Sequence, residues 1–265
     1  MARASGSAAR RRALGQNFLV DADVARRTVA AATLRPGERV LEIGPGHGVL
    51  TRVLLGAGAR VVAVEIDEKL AGALERSQLP NLTVIESDFL RLDLAELPPE
   101  PLVVVANLPY SSGTAIVERL VETRDRFPRI VVMLQREVAE RLCAEPSSRA
   151  YGGLTVLTGL WASASLVLTV PASAFRPVPK VESAVVRLDV AASPRVPVAS
   201  PSDFRRVVRA AFSQRRKMLR NTLGAVFGSA TEDVLARAGI EPTRRAETLS
   251  LAEFATLADE ATARA

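Results

Sequence analysis

Four consecutive residues, Asn107-Leu108-Pro109-Tyr110, offer the most specific chemistry in this chain. They follow an apolar run, so they fall in a loop just past a buried strand, where a flat base can reach them. The Asn107 side-chain oxygen and a backbone carbonyl can accept both hydrogens of an exocyclic amino group. The Tyr110 ring can stack on the base. That set suits methylation of an aromatic amine. Such a nitrogen is a poor nucleophile because its lone pair is delocalised into the ring. Two acceptors favour the pyramidal form, and stacking fixes it for in-line attack. The rate then comes from orientation and local electrostatics and not from a strong base. Taken alone, the same four residues also fit a proline turn with a packed tyrosine.

Two carboxylates extend the pattern. Glu65 ends the run Val62-Ala63-Val64-Glu65, and Asp88 closes the next apolar run. A carboxylate in Glu65's place can accept both ribose hydroxyls of a nucleoside, and Asp88 can accept from an adenine amino group. Either could equally cap a helix. Upstream, Val40-Leu41-Glu42-Ile43 breaks into Gly44-Pro45-Gly46-His47-Gly48 and then into a helical pattern. A strand, a glycine turn and a helix make half of a nucleotide-binding unit, with free N–H groups at the helix start. The spacing is G-x-G-x-G, and the last glycine of the dinucleotide fingerprint G-x-G-x-x-G falls on Val49, which counts against NAD or FAD. No G-x-x-x-x-G-K-[ST] is present, so a P-loop is not expected. The single histidine, His47, reads as a turn residue and the single cysteine, Cys143, as a core residue. Together they are too few for a Cys/His zinc site or an internal disulfide, so no metal is expected.

Positioning these groups requires an α/β fold. Apolar strands at 39–43, 60–65, 82–86, 102–106 and 130–134 are separated by helical patterns, with a first helix at 22–33. This spells a mostly parallel seven-stranded sheet covered on both faces. Strands 165–170 and 183–190 lack a long helix between them, which predicts antiparallel pairing at one edge. In such sheets a ligand lies at the carboxyl ends of the strands, where Glu65, Asp88 and Asn107 fall. The uncharged stretch 152–175 is interrupted by Thr, Ser and Pro, and reads as a short buried helix and a strand in place of a membrane span. Residues 191–201 read as a linker. Beyond it, Ser200-Pro201-Ser202-Asp203, Ser229-Ala230-Thr231-Glu232 and Ser250-Leu251-Ala252-Glu253 read as helix starts, and Gly239 as a helix end.

The domain boundaries are therefore a basic arm at 1–16, a catalytic domain at 17–191 and a small helical domain at 202–265. Formal net charge is +6, and all but three of the 35 basic residues are arginines, whose planar forks suit phosphate and base recognition. A genome rich in Arg codons would give the same count, so placement decides. Residues 203–224 carry seven basic residues and one acid, at spacings that put several on one helical face. Arg215, Arg216, Lys217 and Arg220 are the candidate RNA contacts there. The acid-free start of the chain reads as an RNA-touching arm, with an organelle transit peptide as the alternative.

Gly15-Gln16-Asn17-Phe18-Leu19, Glu42-Ile43-Gly44-Pro45-Gly46, Asn107-Leu108-Pro109-Tyr110 and Phe175-Arg176-Pro177-Val178-Pro179-Lys180-Val181-Glu182-Ser183 resemble, in order, motifs of the ribosomal RNA adenine dimethyltransferase family. Arg216-Lys217-Met218-Leu219-Arg220-Asn221-Thr222-Leu223 is more similar to the small-subunit branch than to the large-subunit resistance branch. The resemblance implies a class I methyltransferase (Rossmann-like) fold, S-adenosyl-L-methionine as cofactor, and N6-dimethylation of adjacent adenosines in 16S ribosomal RNA during ribosome biogenesis. It implies a cytoplasmic, monomeric enzyme whose partner is the small ribosomal subunit. By the same resemblance, Asn17 and Leu19 close over the cofactor, Gly44 lies under its amino-acid part, Glu65 holds the ribose and Asp88 the adenine. Asn107 lies between cofactor and target, the Pro109 carbonyl and Tyr110 hold the target adenine, and Phe175 supplies a second stacking face. The residues Pro171, Pro177, Pro179 and Lys180 around Phe175 point to an exposed loop rather than a core aromatic. The sequence departs from the family pattern at Ser111-Ser112-Gly113 and at Glu182, where Asp is common. The alternatives are a 23S large-subunit methyltransferase of the macrolide-resistance kind and a non-catalytic RNA-binding assembly factor.

Overall fold

The computed structural model describes residues 17–264. The arm at 1–16, with Gly15 and Gln16 of the first motif, lies outside the described residues. Two compact units divide the chain: residues 17–139 with Ser163–Val190, and Glu140–Ala162 with residues 191–264.

In the first unit a two-residue strand, β1 (Phe18–Leu19), precedes helix α1 (Ala22–Ala31), whose N-cap Asp21 accepts from the Asp23 and Val24 amides. Then follow β2 (Arg39–Ile43), α2 (Val49–Gly56), β3 (Arg60–Glu65), α3 (Glu68–Arg76), β4 (Leu82–Glu86), β5 (Val103–Asn107), α4 (Gly113–Glu122) and β6 (Arg129–Gln135). Helix α5 (Arg136–Leu142) crosses the boundary between the units. After the excursion through α6 (Gly153–Gly159), the sheet is completed by β7 (Ala162–Val170) and β9 (Ser183–Val190), with the short β8 (Phe175–Arg176) between them. The order across the sheet is β4-β3-β2-β5-β6-β9-β7, parallel from β4 to β6, with β9 antiparallel to β6. This is the α/β, mostly parallel seven-stranded sheet that the strand spacing predicts. The antiparallel strand is β9, inserted between β6 and β7.

The strands alternate strictly. Val40, Val61, Ala63, Val103, Val105, Val131 and Met133 face a core shared with Val24, Val29, Leu50 and Leu54 of α1 and α2. Their neighbours Leu41, Val62, Val104, Ala106, Ile130 and Val132 are buried on the other face. From β2 the chain builds outward through β3 and β4, then returns to β5 on the other side. The carboxyl ends of β2 and β5 therefore flank the point where the winding reverses, which is where open α/β sheets hold ligands.

The second unit adds α7 (Pro201–Ala211), α8 (Leu219–Thr222), α9 (Gly224–Phe227), α10 (Thr231–Arg237) and α11 (Leu251–Thr262). Ser200 caps α7, with Pro201 at its start, and Ser250 with Glu253 forms a reciprocal capping box on α11. Gly239 follows α10 with φ +68°. Several expectations need correction here. The core of this unit includes Tyr151, Val156 and Leu160, so residues 151–160 pack with the tail helices. The stretch 191–201 is anchored: the Ala191, Arg195 and Ala199 amides donate to Trp161 O, Leu160 O and Asp259 Oδ1, and Val196 and Val198 pack on the core. Ser229 caps nothing; α10 starts at Thr231 with no side-chain cap. Finally, α7 ends at Ala211, so Arg215, Arg216 and Lys217 occupy an exposed turn in place of a helical face, and Arg220 is exposed on α8. Among the described residues no helix is long and apolar enough to cross a membrane.

Candidate active site

The ends of β2, β3, β4 and β5 open into a cavity of about 260 Å³ within the first unit. Asn17, Gly44, Glu65, Asp88, Asn107, Pro109 and Tyr110 all line it. One edge of a parallel sheet thus brings together residues spread over more than ninety positions.

The floor is the glycine turn. Gly44, Gly46 and Gly48 all have positive φ, and the Gly44 amide donates to Val64 O at 2.9 Å. A Cβ on Gly46 would sit 2.8 Å from the Phe18 ring, so glycine is required there for close packing as well as for conformation. Arg52 secures the far end of the turn by donating to the carbonyls of His47 and Gly48, at 2.8 and 2.9 Å. His47 packs against Phe18 with ring centroids 4.5 Å apart, in keeping with its reading as a turn residue.

Glu65 is almost fully buried at the end of β3. Its Oε2 accepts from the Gly46 amide and its Oε1 from the Asp67 amide, both at 3.0 Å. Burial raises its pKa, and the amides of Asp67 and Gly46 oppose that rise. The carboxylate thereby ties the glycine turn to β3 while its remaining lone pairs stay at the cavity wall. Asp88 begins a tight turn, accepting the Leu90 amide on Oδ1 at 3.0 Å and the Leu92 amide on its carbonyl at 2.9 Å. Ile43, Val64, Ile66, Phe89 and Leu90 make the walls apolar, which suits a flat heterocycle with a few polar contacts at its edge.

On the opposite side Asn107 ends β5. Its Nδ2 donates to Asn17 O at 3.1 Å, which leaves Oδ1 as the acceptor end of the amide. Tyr110 is half-buried, and its hydroxyl lies 2.6 Å from Ser183 Oγ. Burial raises the phenol pKa, with the Ser183 hydrogen bond opposing it. The Pro109 carbonyl accepts the amides of Gly113 at 2.8 Å and Ser112 at 3.2 Å. It is committed to the first turn of α4, so the expected role as an acceptor for a base amino group is not available in this arrangement.

Two further expectations are corrected. Phe175 is completely buried, pairs with Leu19 between β8 and β1, and lies in the sheet core, away from the cavity. The prolines around it suggested an exposed loop. The antiparallel β1–β8 pairing pulls the ring inward instead, so it presents no stacking face here. Leu19 is likewise a core residue and lines a recess of about 20 Å³ beside Glu42 and Gly44, not the cavity at the strand ends. Conversely, Phe18, Ile66, Ser87 and Phe89 line the cavity at the strand ends without having been singled out. Their position directly beside Asn17, Glu65 and Asp88 was the available signal.

The described residues hold no cluster of His, Cys, Asp and Glu able to bind a metal. The chemistry available is therefore two carboxylates for hydroxyl or amino donors, an amide acceptor and an aromatic ring, arranged around one apolar slot.

Comparison with known proteins agrees with this geometry. A ribosomal RNA small subunit methyltransferase A from Syntrophotalea carbinolica is 50% identical over 247 residues, covering 92% of this chain and 94% of its own. One of the same name from Geobacter sulfurreducens is 48% identical over 257 residues, covering 93% of each chain. Among solved structures, a dimethyladenosine transferase from Plasmodium falciparum matches with a TM-score of 0.76 at 26% identity, covering 91% of this chain and 95% of that one. The 23S rRNA methyltransferase ErmE matches with a TM-score of 0.72 at 30% identity, covering 93% of this chain and 100% of that one. The family model for ribosomal RNA adenine dimethylase matches residues 7–263, and with the site assembled as described, this chain belongs to that family.

Proposed function

We propose that this protein transfers methyl groups from S-adenosyl-L-methionine to the N6 amino groups of adenosines in small-subunit (16S) ribosomal RNA, as a monomer in the cytoplasm. The observation that carries the reading is the single cavity that unites a nucleoside half, Glu65 and Asp88, with an amine half, Asn107 and Tyr110. The residues fit that cofactor. Glu65 offers carboxylate lone pairs to ribose hydroxyls, Asp88 to an adenine amino group, and the side-chain-free turn at Gly44 and Gly46 admits the amino-acid part. When bound, the cofactor supplies an electrophilic methyl on a sulfonium. The protein's own part is to place and polarise the amine. Asn107 Oδ1 accepts one amino hydrogen and favours the pyramidal nitrogen, Nδ2 being held by Asn17 O. Tyr110, fixed by Ser183, stacks on the base. The amine's proton leaves to water after transfer, since among the described residues no histidine or lysine lines the cavity with Asn107 and catalysis rests on orientation.

The small-subunit substrate is supported by the names of relatives at 48–50% identity over almost the whole chain. The likeness to ErmE supports the alternative, a large-subunit target. Arg215, Arg216, Lys217 and Arg220, exposed on the second unit, are the proposed phosphate contacts, which bind without reading sequence. Specificity then comes from shape, a target adenine already unpaired on folded RNA. The test is labelled methyl transfer to an immature small-subunit particle, naked 16S RNA and 23S RNA at fixed salt. Efficient dimethylation of the particle and poor labelling of naked RNA is the expected result. Preference for naked 23S RNA would replace the substrate by the large-subunit one, and RNA binding with no transfer at all would leave only an assembly factor.

A further inference from the structure

We propose that Arg119 is a positioning residue for the adenine end of the site, tying the turn at 88–92 to the helix that follows the 107–110 loop. The inference rests on reading the cavity as the S-adenosylmethionine site. Arg119 lies on α4 and does not line the cavity. Its Nη1 donates to Phe89 O and its Nη2 to Leu92 O, both at 2.5 Å, across 30 and 27 residues of sequence. Its guanidinium also lies over the Phe89 ring, 5.2 Å from the centroid. The turn's own bonds run inward: Asp88 Oδ1 accepts Leu90 N, and Asp88 O accepts Arg91 N and Leu92 N. These do not involve the carbonyls of Phe89 and Leu92, and Phe89 and Leu92 are themselves buried, where an unmatched carbonyl is costly. One planar fork satisfies both and presses on the ring between them.

The consequence reaches the cavity through two segments. Asp88 and Phe89 line it at the adenine end, and Ile116, one turn before Arg119 on the same helix, lines it too. That helix starts at Gly113, whose amide donates to Pro109 O in the loop that carries Tyr110. Arg119 therefore sets the separation between the adenine wall and the helix behind the target-base loop. Lysine cannot do this, because one ammonium cannot bridge two carbonyls while lying flat on a ring.

The test uses the full chain with Arg119→Lys and Arg119→Met, and the probes S-adenosylmethionine and 5′-methylthioadenosine, which share the adenosine half. Calorimetry well below each variant's melting temperature should give an about tenfold weaker Kd for both probes, by the same factor. RNA affinity without cofactor, read by fluorescence anisotropy, should stay unchanged. KM for the cofactor should rise more than kcat falls. In an Asp88→Ala background Arg119→Lys should add much less than its own factor, because both act through one turn. Arg119→Lys keeps the charge and helix propensity, so it reports even where Arg119→Met fails to fold. A lowered melting temperature with unchanged Kd in Arg119→Lys would reduce Arg119 to a structural residue and overturn the proposal. So would a loss confined to S-adenosylmethionine, or full additivity with Asp88→Ala. Failure of the unsubstituted protein to bind either probe would instead overturn the cofactor reading itself.

Discussion

Replacing Glu42 by glutamine should make the protein more stable, and by an amount that grows with pH. Glu42 sits in β2 two residues before Gly44 and is 1% exposed. Among the described residues its Oε2 is buried with no hydrogen-bond partner, as is the Thr51 hydroxyl in the first turn of α2. Burial, with a smaller push from Glu65, raises its pKa from 4.5 to about 8, and the neighbouring Thr51 only partly opposes this. The Thr51 hydroxyl remains outside hydrogen-bonding geometry, so its opposing effect is the weaker side of that balance. A folded pKa above the unfolded one means that the folded protein holds the proton more tightly. Stability from this group is complete below pH 4.5, falls as pH rises and levels off above about 8. The shift corresponds to roughly 4–5 kcal/mol across the whole window and about 3 kcal/mol by pH 7, at 1.36 kcal/mol per unit. Glutamine keeps the shape and carries no proton to lose. The two proteins should match near pH 4.5, and the variant should gain steadily above it. Urea denaturation followed by circular dichroism at several pH values, taken as the difference between the two proteins, cancels the groups that titrate independently of Glu42. A difference that does not change with pH would refute the reasoning, since Glu42 would then be ionised in the fold.

Other expected outcomes bear on the site directly. Asn107→Ala should abolish methyl transfer while RNA affinity persists, because phosphate contacts dominate the latter; parallel transfer and anisotropy assays separate the two. Tyr110→Phe keeps the ring but strands the fully buried Ser183 hydroxyl, so it should cost about 1–3 kcal/mol of stability, much of it restored by adding Ser183→Ala, with activity above that of Tyr110→Ala. If Tyr110→Phe and Tyr110→Ala were equally inactive, the stacking role would be wrong. Glu65→Ala should weaken S-adenosylmethionine binding by about 1–3 kcal/mol through lost hydrogen bonds, read by calorimetry on folded protein. Changing Arg215, Arg216 and Lys217 together to Ala should reduce the salt slope of RNA binding by about 2–3 units. Arg215 also pairs with Glu247 at 3.6 Å, but an exposed pair contributes little stability.

The sequence by itself determined what is local. Runs of β-branched residues marked the strands, glycines at alternate positions marked the turn after β2, and Ser-Pro and Ser-x-x-Glu marked two helix starts, because these signals act within a few residues of themselves. It also put Glu65, Asp88 and Asn107 at one edge of the sheet, where the fold has them, since a residue at or just past the end of an apolar run lies near a strand's end and parallel strands share one carboxyl edge. What it could not contain is contact between distant segments. Phe18 reaches Gly46, Leu19 and Phe175 turn inward, and Arg119 meets the 88–92 turn only once the sheet has assembled. The same holds for residues 151–160, which read as part of the sheet domain by order but pack with the tail helices. Composition near Phe175 argued for exposure, yet burying a phenylalanine against Leu19 in the core outweighs the local preference of its proline-rich neighbours. Local propensity is decided by nearest neighbours in the chain, whereas burial is decided by which surfaces the fold brings together.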